Sequence, residues 1–269
     1  MFDTFIKGSS VLTPNSIGLE KLPGNRLEDY FKEEKQKVDI NVDLVGKRLG
    51  FTGFKRLPRE TKLACYAIEQ VLENSGTPIP KQKCNQTAVI IASTFSNLNP
   101  IVELYNDVEK FGADKLNPAI FPNTVINSIS GYASIMFNIT GPNITISQGK
   151  FSGLKALEFS LDLLQKQLVE NVVICELNLQ PPQLFHGLIS RHVQKESIAS
   201  LLLSTHPSKN TIIMDKNPKL IDIKAENKLN SSFAILELLY LLKQKTHIYL
   251  KKSSDANCFV CEDGDDIAR

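Results

Sequence analysis

The stretch from Phe121 to Gly153 reads FPNTVINSISGYASIMFNITGPNITISQGKFSG. It contains a small-residue, apolar segment (Asn123 to Asn138), the turn Gly141-Pro142-Asn143, a short strand (Asn143 to Ser147) and a second turn at Gly149. An amphipathic helix follows, with Leu154, Leu157, Leu161, Leu164 and Leu168 at helical spacing. Strand, tight turn and helix together form an elbow. Such an elbow exposes one side chain at the carboxyl end of a buried strand, beside backbone N–H groups that can stabilise negative charge.

The flanking sequence repeats the alternation. Upstream, Leu63, Ala64, Ala67, Ile68, Val71 and Leu72 predict a helix that starts after Pro58 and stops before Gly76. Thr87 to Ser93 (TAVIIAS) is a continuous apolar run of strand length, expected for a strand covered on both faces. Pro100 opens a helix with Val102, Tyr105, Val108 and Phe111 on one stripe, closed by Gly112. Downstream, Asn171 to Leu177 and Ser197 to Ser204 predict two further buried strands. Phe2 to Leu12 predicts an N-terminal strand, and residues 14–50 are the least structured-looking part of the chain. The order β-α-β-α-β-α-β implies an α/β layered fold with a largely parallel sheet. After Pro207 the pattern shortens to ββαββ: Thr211 to Asp215, Leu220 to Lys224, a helix from Ser231 to Leu242, His247 to Lys251, and Cys258 to Glu262. Residues 1–206 therefore read as the main unit and 207–269 as an abbreviated second layer, with a frayed acidic end.

Composition narrows the function classes. The chain has 269 residues, 42% hydrophobic and 22% charged, as expected for a globular domain. Lys and Arg total 31 against 29 Asp and Glu, which supplies no concentrated basic face for nucleic acid. The longest apolar stretch, Phe233 to Leu242, is too short for a bilayer span and contains Glu237. The N-terminus has no basic, then apolar, secretory pattern. Cys65, Cys84 and Cys175 read as small hydrophobes. Cys258 and Cys261 form a single C-x-x-C pair without a second pair, and His186, His192, His206 and His247 do not supply one. No metal or cofactor is expected, and a reducing, cytoplasmic location fits best.

Gly141-Pro142-Asn143 followed by Ser152-Gly153 before a long helix resembles the elbow of the β-ketoacyl synthases. The resemblance spans roughly residues 50 to 205 and includes Gly53-Phe54-Lys55-Arg56-Leu57 and Gly131, which is similar to the glycine of that family's dimer-interface helix. It implies a thiolase-like layered α/β/α fold with an abbreviated C-terminal half. It also implies that Lys150 stands where active synthases carry their nucleophilic cysteine, and nothing here matches the two histidine motifs of the family. A condensing enzyme needs a thiolate to hold the acyl chain and donors for the enolate. The profile therefore resembles chain-length factors, the synthase-like subunits that pair with an active synthase, and in particular the short ketosynthase-like subunits of aryl-polyene-type pathways. Expected partners are an active β-ketoacyl synthase, in a heterodimer, and an acyl carrier protein. No nucleic acid and no membrane span are expected.

On this resemblance no residue is catalytic, and Lys150 marks a vestigial nucleophile position. The elbow residues are Gly149, Ser152 and Gly153. Ile126, Ile129, Tyr132, Met136 and Phe151 are the candidates for shaping a tunnel or an interface, with Ile126 and Ile129 as its floor. Val125, Ile135 and Phe137 add to the apolar surface of that segment. A helix hydrophobic all round needs more than one neighbour. Arg56, Arg59 and Lys62 form either a solvated helix face or a docking patch for an acidic carrier protein. The competing expectation is a stand-alone acyl-thioester hydrolase or decarboxylase that uses Ser152 or Lys150. The local pattern G-x-x-S-G differs, however, from the G-x-S-x-G nucleophile elbow, and Ser152 also reads as a structural turn residue.

Overall fold

A computed structural model describes residues 4–32, 39–41, 56–76, 84–95, 97–186, 195–208, 210–215, 231–244, 247–252 and 259–263. Eight strands form one sheet: β1 (Thr4–Leu12), β2 (Thr87–Ser93), β3 (Asn143–Ile146), β4 (Asn171–Asn178), β5 (Ser197–Ser204), β6 (Asn210–Asp215), β7 (His247–Lys252) and β8 (Phe259–Asp263). Their spatial order is β3-β2-β4-β5-β1-β6-β7-β8. Among the described residues six α-helices accompany them: α1 (Leu27–Lys32), α2 (Arg59–Asn74), α3 (Leu98–Phe111), α4 (Ser128–Met136), α5 (Ser152–Gln165) and α6 (Ala234–Leu242).

Alternation along the buried strands divides the core in two. In β2, Ala88, Ile90 and Ala92 join β4 Val172 and Ile174 against α5 and α6. Val89 and Ile91 join Val173 and Cys175 against α2 and α4. The result is the expected α/β/α layering, with β2, β4 and β5 buried along almost their whole length because helices cover both of their faces.

The sheet is not largely parallel. β2 runs parallel to β3 and β4, and β6 to β7. The pairs β4/β5, β5/β1, β1/β6 and β7/β8 are antiparallel. Burial on both faces produces a continuous apolar run whatever the strand direction, so runs such as SIASLLLS carry no direction signal. The strands after residue 207 extend this same sheet through the β1/β6 pairing, and α6 joins α5 over it. The expected strand Leu220 to Lys224 lies outside the described residues.

Three helical expectations need correction. The segment read as one helix over residues 123–138 is a 3-10 turn (Pro118–Asn123) followed by the shorter α4, with Ile129, Ser130 and Ala133 buried. The regular helix begins only at Ser128. In α3 only Pro100 is buried, and Ile101, Tyr105, Val108 and Phe111 are exposed. Its apolar stripe faces outward. Helix α5 stops at Gln165, because Gln167 turns into the left-handed region at φ 55° and leaves Leu168 exposed. A further short helix, α1, appears within the segment expected to be least structured.

Candidate functional site

The elbow is built where β3 gives way to α5. Gly149 takes φ 56°, a conformation that disfavours a side chain, and opens a 3-10 turn through Phe151. The Ser152 hydroxyl closes it, donating to the Gly149 carbonyl (2.8 Å) and accepting from the Gln148 N–H (2.9 Å). The Thr94 hydroxyl, just past β2, also donates to the Gly149 carbonyl (3.1 Å). Upstream, the Pro142 carbonyl accepts from the Val89 N–H (2.9 Å), which ties the Gly141-Pro142-Asn143 turn to β2. Ser152 is buried, with both roles of its oxygen taken up by backbone groups. It holds the turn, and its hydrogen bonds involve no histidine.

Lys150 is exposed on this turn, its Nζ 4.9 Å from the centroid of the Phe151 ring. Phe151 is half-buried against the core on the α5/α6 side. The other proposed tunnel residues lie across the sheet. Ile129 is 0% exposed and belongs to the core beneath α4, while Tyr132 and Met136 pack against that core from its edge. Ile126 precedes α4 and is 48% exposed. The fold therefore does not gather Phe151 with the α4 residues on one face. Exposed apolar side chains do gather around α4: Phe121, Val125, Ile126 and Ile135, the last 65% exposed. Strand β3 beside them is the terminal strand of the sheet. Asn143 on that strand donates from its side chain to the Ser130 carbonyl (2.7 Å), and the Ser130 and Thr145 hydroxyls bond at 3.0 Å, so α4 and the edge strand form a unit.

Three buried carboxyls, Glu60, Glu176 and Glu196, escaped the sequence reading, and the last two are tied into the fold by several hydrogen bonds. Glu176, within NVVICELN, is 2% exposed and accepts from the Ile235 (3.1 Å) and Leu236 (3.4 Å) N–H groups at the start of α6. Burial pushes its carboxyl up to about 8, against the opposing pull of those N–H donors. Glu196, in the run before β5, is 1% exposed and accepts from Ile40 N–H (2.7 Å), Gln180 N–H (3.0 Å) and Arg59 Nη1 (3.0 Å). Tyr30 donates to the Glu196 carbonyl, and the Lys195 Nζ donates to the Tyr30 carbonyl (3.1 Å). Arg59 is therefore bound into this clamp and is not part of a free basic patch. The signal for both was a lone acidic residue beside an apolar strand.

Several quoted positions lie outside the described residues: Gly53, Phe54, Lys55, His192 and Cys258. Among the described residues, no helix is long and apolar enough to cross a membrane.

Comparison with known proteins identifies the architecture. Against 3-oxoacyl-[acyl-carrier-protein] synthase 2 of Vibrio harveyi the chain is 33% identical over 85 residues, 32% of this chain and 20% of that protein. The match therefore spans about a fifth of this curated relative. The ishigamide ketosynthase/chain length factor superposes with a TM-score of 0.68 at 12% identity, covering 96% of this chain and 98% of the other. The ketosynthase ApeO in complex with its chain length factor ApeC, from Xenorhabdus doucetiae, gives 0.55 at 15% identity over 77% of this chain and 81% of the other. These solved structures share the thiolase-like fold. The profile of the Beta-ketoacyl synthase, N-terminal domain matches residues 30–190, a span that takes in the β3–α5 elbow and both helices packed on the α2 side. By that match the chain belongs to the β-ketoacyl synthase family.

Proposed function

We propose that this chain is a catalytically silent ketosynthase-like subunit, a chain-length factor. It pairs with an active β-ketoacyl synthase in a cytoplasmic heterodimer and shapes the tunnel in which the partner's acyl or polyene chain grows. The observation that carries this proposal is an elbow with its framework intact and an exposed Lys150 at the nucleophile position. A lysine at this position supplies no thiolate on which to hold an acyl chain. Ser152, the nearest hydroxyl, is held by Gly149 and Gln148. Surface chemistry supports the pairing. Phe121, Val125, Ile126 and Ile135 expose apolar area beside β3, the terminal strand of the described sheet, and a terminal strand next to apolar side chains invites a partner.

In this arrangement Ile126 and its neighbours before α4 reach the partner and limit the chain it can hold, since each methylene accommodated is worth about 0.8 kcal/mol. Tyr132 and Met136 back them from α4, and Phe151 fills the vestigial pocket. Similarity in fold to structures described as ketosynthase–chain length factor pairs supports the same reading. One similar structure is described as a type II polyketide synthase acyl-carrier protein in complex with its ketosynthase. That supports an acyl carrier protein as the third component. Aryl-polyene-type synthesis is the setting we favour.

Co-expression with an active synthase tests the proposal. The expected result is a stable one-to-one complex whose product is lost or shortened when this chain is omitted. A chain that purifies alone, with product unchanged by its deletion, overturns it. Incubation of the isolated chain with acyl and malonyl thioesters tests the competing enzyme. Turnover abolished by Ser152→Ala or Lys150→Ala would establish that enzyme instead.

A further inference from the structure

Glu176 sits in a compartment of carboxyl size. Its register partners are Ala92 on β2 and Ala199 on β5, so the neighbours in the sheet are small on both sides. Above it lies Gly153, where an added Cβ would stand 1.7 Å from Glu176 Oε1. The fourth wall is the start of α6, whose Ile235 and Leu236 N–H groups both point at Oε2. Oε1 is buried without a hydrogen-bond partner, as are Asn178 Nδ2 and Ser197 Oγ, a cross-strand pair two positions further along the same sheet face.

Among the described residues, no cation forms an ion pair with this carboxyl. Strand β2 and the 231–233 turn contain no titratable side chain. On β4, Cys175 belongs to the opposite core. Before β5, Glu196 is engaged with Arg59. On α5, Lys155 pairs with Glu158, and on the elbow Lys150 is exposed over Phe151. Helix α6 contributes Glu237, half-buried, and Tyr240, which donates to the Pro23 carbonyl.

Two effects compete. The start of a helix favours an anion by up to about 2 kcal/mol in partly buried geometry. An uncompensated buried charge costs several kcal/mol, so desolvation wins. We propose that Glu176 is a permanently buried acid held in its neutral form, and that its bound proton is what allows it to latch α6 to the sheet beneath the elbow. Oε2 accepts the two α6 N–H groups, and Oε1 carries the proton. With the Asn178 amide turned so that Oδ1 faces the carboxyl, Oε1–H donates to it and Oε1 is no longer without a partner. Burial raising this carboxyl to about 8 agrees with the geometry. Loss of the proton leaves an anion that the folded chain cannot solvate, so α6 loosens as pH rises. The latch is independent of the partner proposed above.

The test compares the full chain with Glu176→Gln, which keeps an oxygen for the α6 N–H groups and has no proton to lose. Urea unfolding is followed from pH 5 to pH 9. Because the folded chain binds this proton more tightly, the stabilisation is complete below the ordinary carboxyl range and is lost as pH rises towards about 8. The expected result is a wild-type folding constant that falls by up to about tenfold per pH unit across that window relative to Glu176→Gln. Parallel pH profiles would overturn the proposal. The infrared band of a protonated carboxylic acid should also be present in wild type at pH 6 and gone at pH 9. Glu60 is a second carboxyl raised by burial, so the band is measured in Glu60→Gln as well. If Glu176→Gln does not fold, a band that persists in Glu60→Gln supports the proposal, and one that vanishes there overturns it.

Discussion

Gly131 separates what α4 does for its own chain from what it does for a partner. It lies within α4, and a Cβ added there meets no atom within 4 Å. Glycine inside a helix costs roughly 0.5–1 kcal/mol relative to alanine, because the unfolded chain loses more freedom. Gly131→Ala should therefore stabilise the isolated chain by about that amount, read as a higher urea midpoint at unchanged slope. Nothing in the folded chain opposes the extra methyl. A subunit docked on α4 would oppose it, because a backbone surface permits close approach and a methyl lifts the partner away. Overpacking of a closely fitted surface costs about 1–3 kcal/mol, which is roughly five- to 150-fold in the dissociation constant. Gly131→Leu should enlarge that loss while staying folded. The assay pairs urea unfolding of the chain alone with sedimentation or calorimetric titration against the active synthase. Both variants binding the synthase as tightly as wild type would refute the placement of α4 at the interface. Destabilisation of the isolated chain by alanine would refute the claim that the space above Gly131 is free.

Arg59→Ala removes the cationic partner of a carboxyl whose side chain is 1% exposed, while the arginine itself is 30% exposed. A loss of about 2–4 kcal/mol in urea unfolding is expected, near the lower part of the range for breaking a buried pair, and Arg59→Lys should recover only part of it. Gly153→Ala places a methyl on the Glu176 carboxyl and should destabilise by about 1–3 kcal/mol. In a Glu176→Ala background that cost should shrink, as a double-mutant cycle would show. Cys65 and Cys175 are fully buried, and burial raises both thiols, Cys175 to about 12. Peptide mapping after brief alkylation at pH 8 should find both unmodified in the native chain and modified in urea.

Legibility in the sequence followed the range of the interactions. The strand TAVIIAS and the helix after Pro58 were readable because contiguous residues determine them: an unbroken apolar run in one case, a repeat of 3.6 in the other. The elbow was readable for the same reason, since Gly149, Ser152 and Gly153 act within six residues of one another. Helix α3 shows where this stops. Its stripe of Val102, Tyr105, Val108 and Phe111 is periodic, but periodicity says that a face is apolar and not what covers it. Glu176 and Glu196 were missed for a related reason. Their surroundings come from Ala92, Ala199, Gly153 and α6 in one case and from Ile40, Arg59 and Gln180 in the other, all distant in sequence. An acidic residue beside an apolar run has two readings, a solvated strand end and a buried acceptor, and only the partners decide between them. Strand direction was hidden because two-sided burial erases the alternation that would have marked it.

A retained elbow and a lysine at position 150, which on our proposal replaces the nucleophile, are compatible because different atoms carry them. The turn is held by the backbone of Gln148 and Gly149, the hydroxyls of Ser152 and Thr94, and the absence of a side chain at Gly149. Packing against α6 depends on Gly153 and Glu176. None of these contacts involves the side chain at position 150, which projects from the turn with only Phe151 beneath it. The cost of a lysine there is the repulsion between its charge and the start of α5, about 0.3–1 kcal/mol and screened by solvent. Against the several hydrogen bonds of the turn, each worth about 1 kcal/mol net, that cost is too small to disturb the fold. The family's architecture therefore survives any exchange at this one position. Its persistence here reports shape, and reactivity has to be read from the side chain itself.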